Sequence, residues 1–287
     1  MRSKNSVTHY QTTLREPVAF EGVGLHSGAP CRVEIRPAAA NTGLRFVSAG
    51  VEIPALAEYV VETARATVVG KDNVTISTVE HLLAALFGMG IANAELLVEG
   101  PEIPVTDGSA KIFADGIAAA GIAAQREVRE RFVPAAPAFA RDGDRLILVL
   151  PAAAFRVKFV ADFAPPIGTQ FFDGEIGSES FLEEIAGART FGYLHEVEGL
   201  LKRGLAKGGT LENALVFAPD GPMQPLRWEN EPVRHKVLDL LGDFALLGAW
   251  PQCEVIAIKS GHKLHCIMTA QLRREIGGQR PSAKASS

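Results

Sequence analysis

No apolar run in this chain is long enough to cross a membrane. The longest, such as Leu146 to Phe155, reach about half of the ~20 residues that a spanning helix needs. The opening residues, Met-Arg-Ser-Lys-Asn-Ser-Val-Thr-His-Tyr, lack the apolar core of a secretory leader. Cysteine is scarce as well. Cys31, Cys253 and Cys266 are scattered and odd in number, which argues against a disulfide framework and for reduced thiols in a cytosolic protein. An excess of one charge is also missing: a net charge of −4 over 287 residues leaves no basic footprint for a nucleic acid polymer. What remains is globular composition, 47% hydrophobic and 22% charged, enough for one large domain or two of ordinary size.

The pattern along the chain runs strands then helices, twice. Strand-like pieces occur at Arg32–Ile35, Leu44–Phe46 and Ala94–Val98. A helix is expected from Val79 to Phe87, ended by Gly88-Met-Gly90, and another after Asp107-Gly-Ser109 through Ile117. From Arg129 to Asp144 the pattern loosens into prolines and the turn Arg141-Asp-Gly-Asp144. Strands then recur at Leu146–Leu150 and Phe155–Phe163, helices at Ser180–Ala186 and Val233–Ala249, and an apolar strand at Val255–Lys259. This order predicts an α+β protein of two domains, 1–128 and 129–276, as two α+β layers packed face to face. Residues 277–287, rich in Gly, Ser, Ala and basic residues, are expected to be a disordered tail.

Two of these helices carry polar groups that packing does not require. Ser77-x-x-Glu80 matches a capping box, which accounts for Glu80 but not for His81. A lone His among leucines is more often a satisfied core residue than a ligand. An acid and an imidazole side by side shift that balance, because a buried charge is costly unless it is paired or bound to a metal. On the second helix His235, Asp239 and Asp243 follow at four-residue steps and form one narrow stripe among Val and Leu. A solvated face is the plain alternative. His81, His235 and Asp239 together supply two imidazoles and one carboxylate, the donor set of a catalytic zinc with an open position. Iron suits the same set. His262 ends Lys259-Ser-Gly-His262 at a strand-to-loop corner. His265 and Cys266 nearby lack the paired Cys-x-x-Cys spacing of a structural zinc site. His-Glu-x-x-His is absent, which removes the commonest zinc peptidase signature.

The motifs closely resemble the UDP-3-O-acyl-N-acetylglucosamine deacetylase family. The resemblance runs from Gly22-Val-Gly-Leu-His-Ser-Gly28 to His262. It takes in Arg36-Pro-Ala-Ala-Ala-Asn-Thr-Gly43, Ile76-Ser-Thr-Val-Glu-His81, Pro101-Glu-Ile-Pro104, Asp107-Gly-Ser109, Ala188-Arg-Thr-Phe-Gly192, Val233-Arg-His-Lys236 and Lys259-Ser-Gly-His262. It implies two α+β domains, each a sheet with helices on one face, with the site between the facing helix layers. It also implies zinc on His81, His235 and Asp239, with Fe2+ as an alternative in the cell. Glu80 is implied as general base, His262 as general acid oriented by Asp243, Thr190 as oxyanion donor and Lys236 as a second positive group. Phe191, Gly208 and Gly209 are implied in the substrate channel, and an acyl passage within Arg189 to Phe217. Asp162, Phe163 and Lys259 are implied at the nucleotide end and Glu196 near the amino sugar. The implied reaction removes the N-acetyl group of an acylated UDP-N-acetylglucosamine, the committed step of lipid A synthesis, by a monomer in the cytoplasm of a Gram-negative bacterium.

Three positions depart from the family pattern. His265 stands where Asn is expected, Glu196 where Asp is more familiar, and Ala66 where some relatives carry a Cys close to the metal. Ala66 implies that no thiol competes for zinc from that position.

Overall fold

The computed structural model describes residues 9–279. Two five-stranded sheets dominate it. The first comprises β1 (Val18–Val23), β2 (Pro30–Pro37), β3 (Leu44–Ser48), β4 (Val51–Pro54) and β5 (Ala94–Glu99), in the spatial order β1-β2-β5-β3-β4. The second comprises β6 (Ala138–Asp142), β7 (Arg145–Pro151), β8 (Arg156–Asp162), β9 (Thr169–Glu175) and β10 (Cys253–Ile258), in the order β6-β7-β10-β8-β9. The two topologies are the same. In each, two hairpins form first and a late strand inserts between them. That strand runs antiparallel to one neighbour and parallel to the other.

Alternation decides which face of each sheet is covered. Along β2, Cys31, Val33 and Ile35 are buried, while Arg32, Glu34 and Arg36 form an ion-paired outer row. Along β8, Val157, Phe159 and Ala161 point inward, and along β10 Cys253, Val255 and Ala257 do the same. Helices cover these inner faces. The first sheet carries α1 (Glu80–Gly88) and α2 (Lys111–Ala120). The second carries α4 (Glu231–Ala245) and α5 (His262–Gln279), while α3 (Leu194–Lys202) belongs to an insert.

The helix layers meet where α1 packs on α4. All nine residues of α1 are buried, as are nearly all of α4. Gly242 makes the close approach possible. A Cβ there would lie 2.7 Å from the Glu80 carbonyl carbon and 2.8 Å from its Cα, too near for any other residue. One continuous apolar core, with Leu82, Leu83, Leu86, Val237, Leu238 and Leu241 at its centre, fills the space between the sheets.

Each half also carries a small three-stranded sheet between its fourth strand and its first helix. One is built from Val60–Glu62, Val68–Lys71 and Val74–Ile76. The other is built from Phe191–Tyr193, Leu215–Ala218 and Gly221–Pro222, with α3 inserted. Both flank the crossing of α1 and α4.

Several local expectations are revised. The stretch expected as a helix at Ser180–Ala186 is helical, but it starts earlier, as one α-helical turn at Ser178–Ser180, and widens into a π-helix at Phe181–Ile185. The helix expected at Val233–Ala249 starts and ends earlier, at Glu231–Ala245, with Pro232 in its first turn where proline is tolerated. His262 is not on a loop corner but opens α5. That helix continues to Gln279, so 277–279 are helical rather than tail, and 280–287 lie outside the described residues.

Candidate metal centre

His81 sits in the first turn of α1 and His235 and Asp239 one turn apart on α4, so the helix crossing brings them together. Their ligand atoms all lie within 4.8 Å of one another, and all three side chains are buried. His235 Nε2 is 3.3 Å from Asp239 Oδ1 and His81 Nε2 is 3.7 Å from it. The two imidazoles stand nearly perpendicular, at 86°, with centroids 5.0 Å apart.

The electrostatics suit a cation. Burial pushes the His81 imidazole down to about 3 and also lowers His235, so both rings are neutral and hold free lone pairs. His235 Nδ1 lies 3.0 Å from the Ala188 carbonyl. That carbonyl can only accept, so the proton sits on Nδ1 and Nε2 faces inward. Burial alone would raise the Asp239 carboxyl. Lys236, whose Nζ donates to Asp239 Oδ2 at 2.7 Å, outweighs it together with the surrounding imidazoles and holds Asp239 well below the usual range. Two neutral imidazoles and one carboxylate, buried and convergent, fit zinc or iron(II). No cysteine among the described residues joins this group, and Ala66 is buried.

Glu80 and His262 flank the three. His262 Nε2 is 3.9 Å from Glu80 Oε1 and 3.9 Å from Asp239 Oδ2. Glu80 does not form the expected capping box, since α1 has no side-chain cap hydrogen bond. Its Oε2 instead accepts the Thr67 backbone N–H at 3.0 Å, and its other oxygen is left for the site. Ser77 is held elsewhere, bridged in parallel to Glu102. Burial raises the Glu80 carboxyl to about 7. At His262 burial opposes the positive charge, but Asp243, 2.9 Å from Nδ1, and Asp239 raise the imidazole to about 9.

These groups open into a cavity of about 1070 Å³. Its wall includes Glu80, His81, His235, Lys236, Asp239, His262, Thr190, Phe191, Gly209, Asp162, Phe163, Lys259 and Glu196. Gly208 is not on the wall: it packs against the Gly24 backbone, and its N–H donates to the Leu25 carbonyl. Asp243 is fully buried behind His262. Phe191 stacks edge-on with Phe163, centroids 5.1 Å apart, and lies under Lys236 Nζ at 5.7 Å. Lys259 pairs with Asp162 at 2.8 Å and Asp144 at 3.0 Å, and Glu196 with Arg65 at 3.7 Å. Leu194, Val197, Leu200, Leu211, Leu215 and Val216 give the insert an apolar side on the same cavity.

Sequence reasoning passed over three supports. Thr67 joins two buried carboxylates of the site, its N–H on Glu80 and its hydroxyl on Asp243 Oδ1 at 2.5 Å. Glu231 is fully buried and accepts from Arg189 N, Nε and Nη2 and from Arg227 N, which pins the Ala188–Thr190 loop. Glu102 accepts from His26 N, Ser27 N and Thr78 Oγ1 and pins a second loop of the wall. Glu102 and Arg189 lie inside quoted motifs. Thr67 carried no local signal, because its partners are 13 and 176 residues away.

The family model described as UDP-3-O-acyl N-acetylglycosamine deacetylase matches residues 11–274. A protein of Nostoc sp. named UDP-3-O-acyl-N-acetylglucosamine deacetylase is 45% identical over 266 residues, 89% of this chain and 95% of its own. Proteins of the same name from Geotalea uraniireducens and Myxococcus xanthus are each 44% identical, over 92% and 90% of this chain and 89% and 84% of their own. The chain is therefore a deacetylase that belongs to the UDP-3-O-acyl N-acetylglycosamine deacetylase family.

Proposed function

We propose that this chain hydrolyses the N-acetyl group of UDP-3-O-(3-hydroxyacyl)-N-acetylglucosamine, giving acetate and the free 2-amine, the committed step of lipid A synthesis. The observation that carries this reading is the convergence of His81, His235 and Asp239 between Glu80 and His262 at one end of a large cavity. The names of the relatives support the substrate class. His81, His235 and Asp239 would hold the ion, zinc or Fe2+. Once bound, it supplies a Lewis acid that polarises the amide carbonyl and makes water acidic near neutral pH.

The chain's own groups account for the proton movements. Glu80, with a carboxyl near 7, takes a proton from the attacking water. His262, an imidazolium at neutral pH because Asp243 stabilises its charge, gives a proton to the departing amine. Lys236 and the Thr190 hydroxyl stand on the wall as donors toward the oxygen on which negative charge develops. The apolar side of the insert, from Leu194 to Val216, suits the acyl chain. Phe163, Lys259 and Asp162, also on the wall, suit the nucleotide.

We also place the domain division at 1–128 and 129–276. Strand Ile122–Val128 pairs back with Tyr10–Leu14, whereas Arg131–Phe132 pairs forward with Trp250–Pro251, which supports a boundary between them. No helix among the described residues is long and apolar enough to cross a membrane. We assign the protein to the cytoplasm of a Gram-negative bacterium, as a monomer acting on a nucleotide sugar rather than a nucleic acid polymer.

The test is metal content and deacetylation of the acylated UDP-sugar, measured together on wild type and His81→Ala. Stoichiometric metal and turnover in the wild type, both lost in the variant, are expected. Metal without turnover, or turnover that survives His81→Ala, refutes the proposal.

A further inference from the structure

Behind the cavity wall lies a second polar cluster, formed by Asp243, His262 and His265. His262 is on the wall, but His265, at 0% exposure, is not. His265 sits on α5 just beyond His262, so both rings reach Asp243 on the neighbouring helix. His265 Nδ1 is 2.9 Å from Asp243 Oδ2, the same oxygen that His262 Nδ1 meets at 2.9 Å. Its Nε2 is 2.9 Å from Ser260 Oγ. Asp243 Oδ1 is taken by the Thr67 hydroxyl. Asp243 is thus gripped by three side chains, two from α5 and one from the loop at Thr67.

The protonation states follow from the partners. Burial opposes ionisation of Asp243, but the charge and hydrogen bonds of His262 and His265 hold its carboxyl below the usual range. An ionised carboxylate only accepts, so each imidazole must present an N–H to it. Burial lowers His265, which leaves that ring one proton. The proton is on Nδ1, and Nε2 then accepts from the Ser260 hydroxyl.

We propose that His265 is a positioning residue for the deacetylation: by donating from Nδ1 to the Asp243 oxygen that His262 also uses, it locks the plane of that carboxylate, and so the direction in which His262 Nε2 points into the cavity. This rests on the reading of His262 as the general acid. A carboxylate held by one imidazole and one hydroxyl can swing about its Cβ–Cγ bond. Held by a third donor on the oxygen that His262 uses, it cannot swing without giving up three bonds at once rather than two. Partners of this kind, one step removed from the reacting groups, typically carry 10–100-fold in activity.

The experiment compares His265→Leu, His265→Asn and His262→Gln in metal-replete protein with the acylated UDP-sugar as substrate. Leu fills similar space and offers no donor. Asn carries an N–H at the position of Nδ1 but cannot reach Ser260. We expect His265→Leu to lose about tenfold or more in kcat with KM and metal content little changed, and His265→Asn to recover most of that loss. Wild-type kcat in His265→Leu, or equal loss in both variants, overturns the inference. Inactive His262→Gln beside fully active His265→Leu refutes His265 alone. Full turnover in His262→Gln overturns the acid assignment and this inference with it. If His265→Leu does not fold, 15N NMR of the wild-type holoenzyme near pH 7 decides. A proton on His265 Nδ1 supports the inference, and an Nε2–H tautomer refutes it.

Discussion

Substituting Gly242 by alanine tests whether the crossing of α1 and α4 builds the site. The added methyl would sit 2.7 Å from the Glu80 carbonyl carbon and 2.8 Å from its Cα. Carbon atoms pack at about 3.5–4.0 Å, so the helices must part by roughly 1 Å. The obstruction is backbone, which no change of rotamer relieves. Overpacking of this kind costs about 1–3 kcal/mol of stability. The separation falls on the groups that need it least. Glu80 itself is struck, His81 follows it on α1, and the partners His235 and Asp239 stay on α4. A displacement of about 1 Å at reacting groups costs on the order of 100-fold in rate. We therefore expect Gly242→Ala to fold with a lowered denaturation midpoint, to bind metal more weakly, and to lose about 10–100-fold in kcat/KM. The assays are chemical denaturation, metal titration against a chelator and deacetylation kinetics. A variant with wild-type stability, metal affinity and turnover would mean that the close approach does not hold the site together.

Asp239→Ala should release most of the bound metal while Glu80→Gln keeps it and loses most of kcat; metal analysis beside turnover checks both, and full retention in Asp239→Ala counts against it as a ligand. The pH profile of kcat/KM should be bell-shaped. Activity rises as Glu80, near 7 before any cation is bound and lower with one, loses its proton, and falls as His262, near 9, loses its own. Asp243→Asn removes the charge that raises His262, so the alkaline limb should move down by about one unit, and an unmoved limb refutes the pairing. Glu231→Gln leaves the Arg189 guanidinium, 13% exposed, without its counter-charge; a loss on the order of 3–5 kcal/mol with weakened metal binding is expected, and an unchanged denaturation midpoint would refute it.

Much of this was legible in the chain because its signals are local. The period-two rows in β2, β8 and β10 announce strands with one covered face. The four-residue spacing of His235, Asp239 and Asp243 puts them on one face of a helix whose remaining positions after Lys236 are almost all apolar. What was not legible depends on distant chain segments. Ser77 and Glu80 have the spacing of a capping box, yet the Thr67 N–H from the small sheet takes the Glu80 oxygen and the Ser77 backbone bridges to Glu102, so the local rule is overridden by tertiary partners. The family resemblance implies Gly208 as channel lining, but its lack of a Cβ serves contact with Gly24 instead. His265 registers in the sequence only as a departure, and its use appears once Asp243 is placed beside it.

The duplicated topology explains why the site lies where it does. In each half a small sheet is followed by a helix that leads into the inserted central strand, α1 into β5 and α4 into β10. Those two helices cross at Gly242, so the polar ends of both halves are buried against each other rather than against their own sheets. Each half leaves some of its polar groups to be met by the other. Glu80 and His81 on α1 face Asp239 and His262 from the other half, while Asp243 on α4 is closed by Thr67 from the first. Buried polar groups without partners are costly, so each half supplies what the other needs to dock. The donor set divides in the same way, one imidazole from the first half and an imidazole with a carboxylate from the second. Metal binding and the docking of the two halves therefore draw on the same contacts, and a change that loosens one should loosen the other.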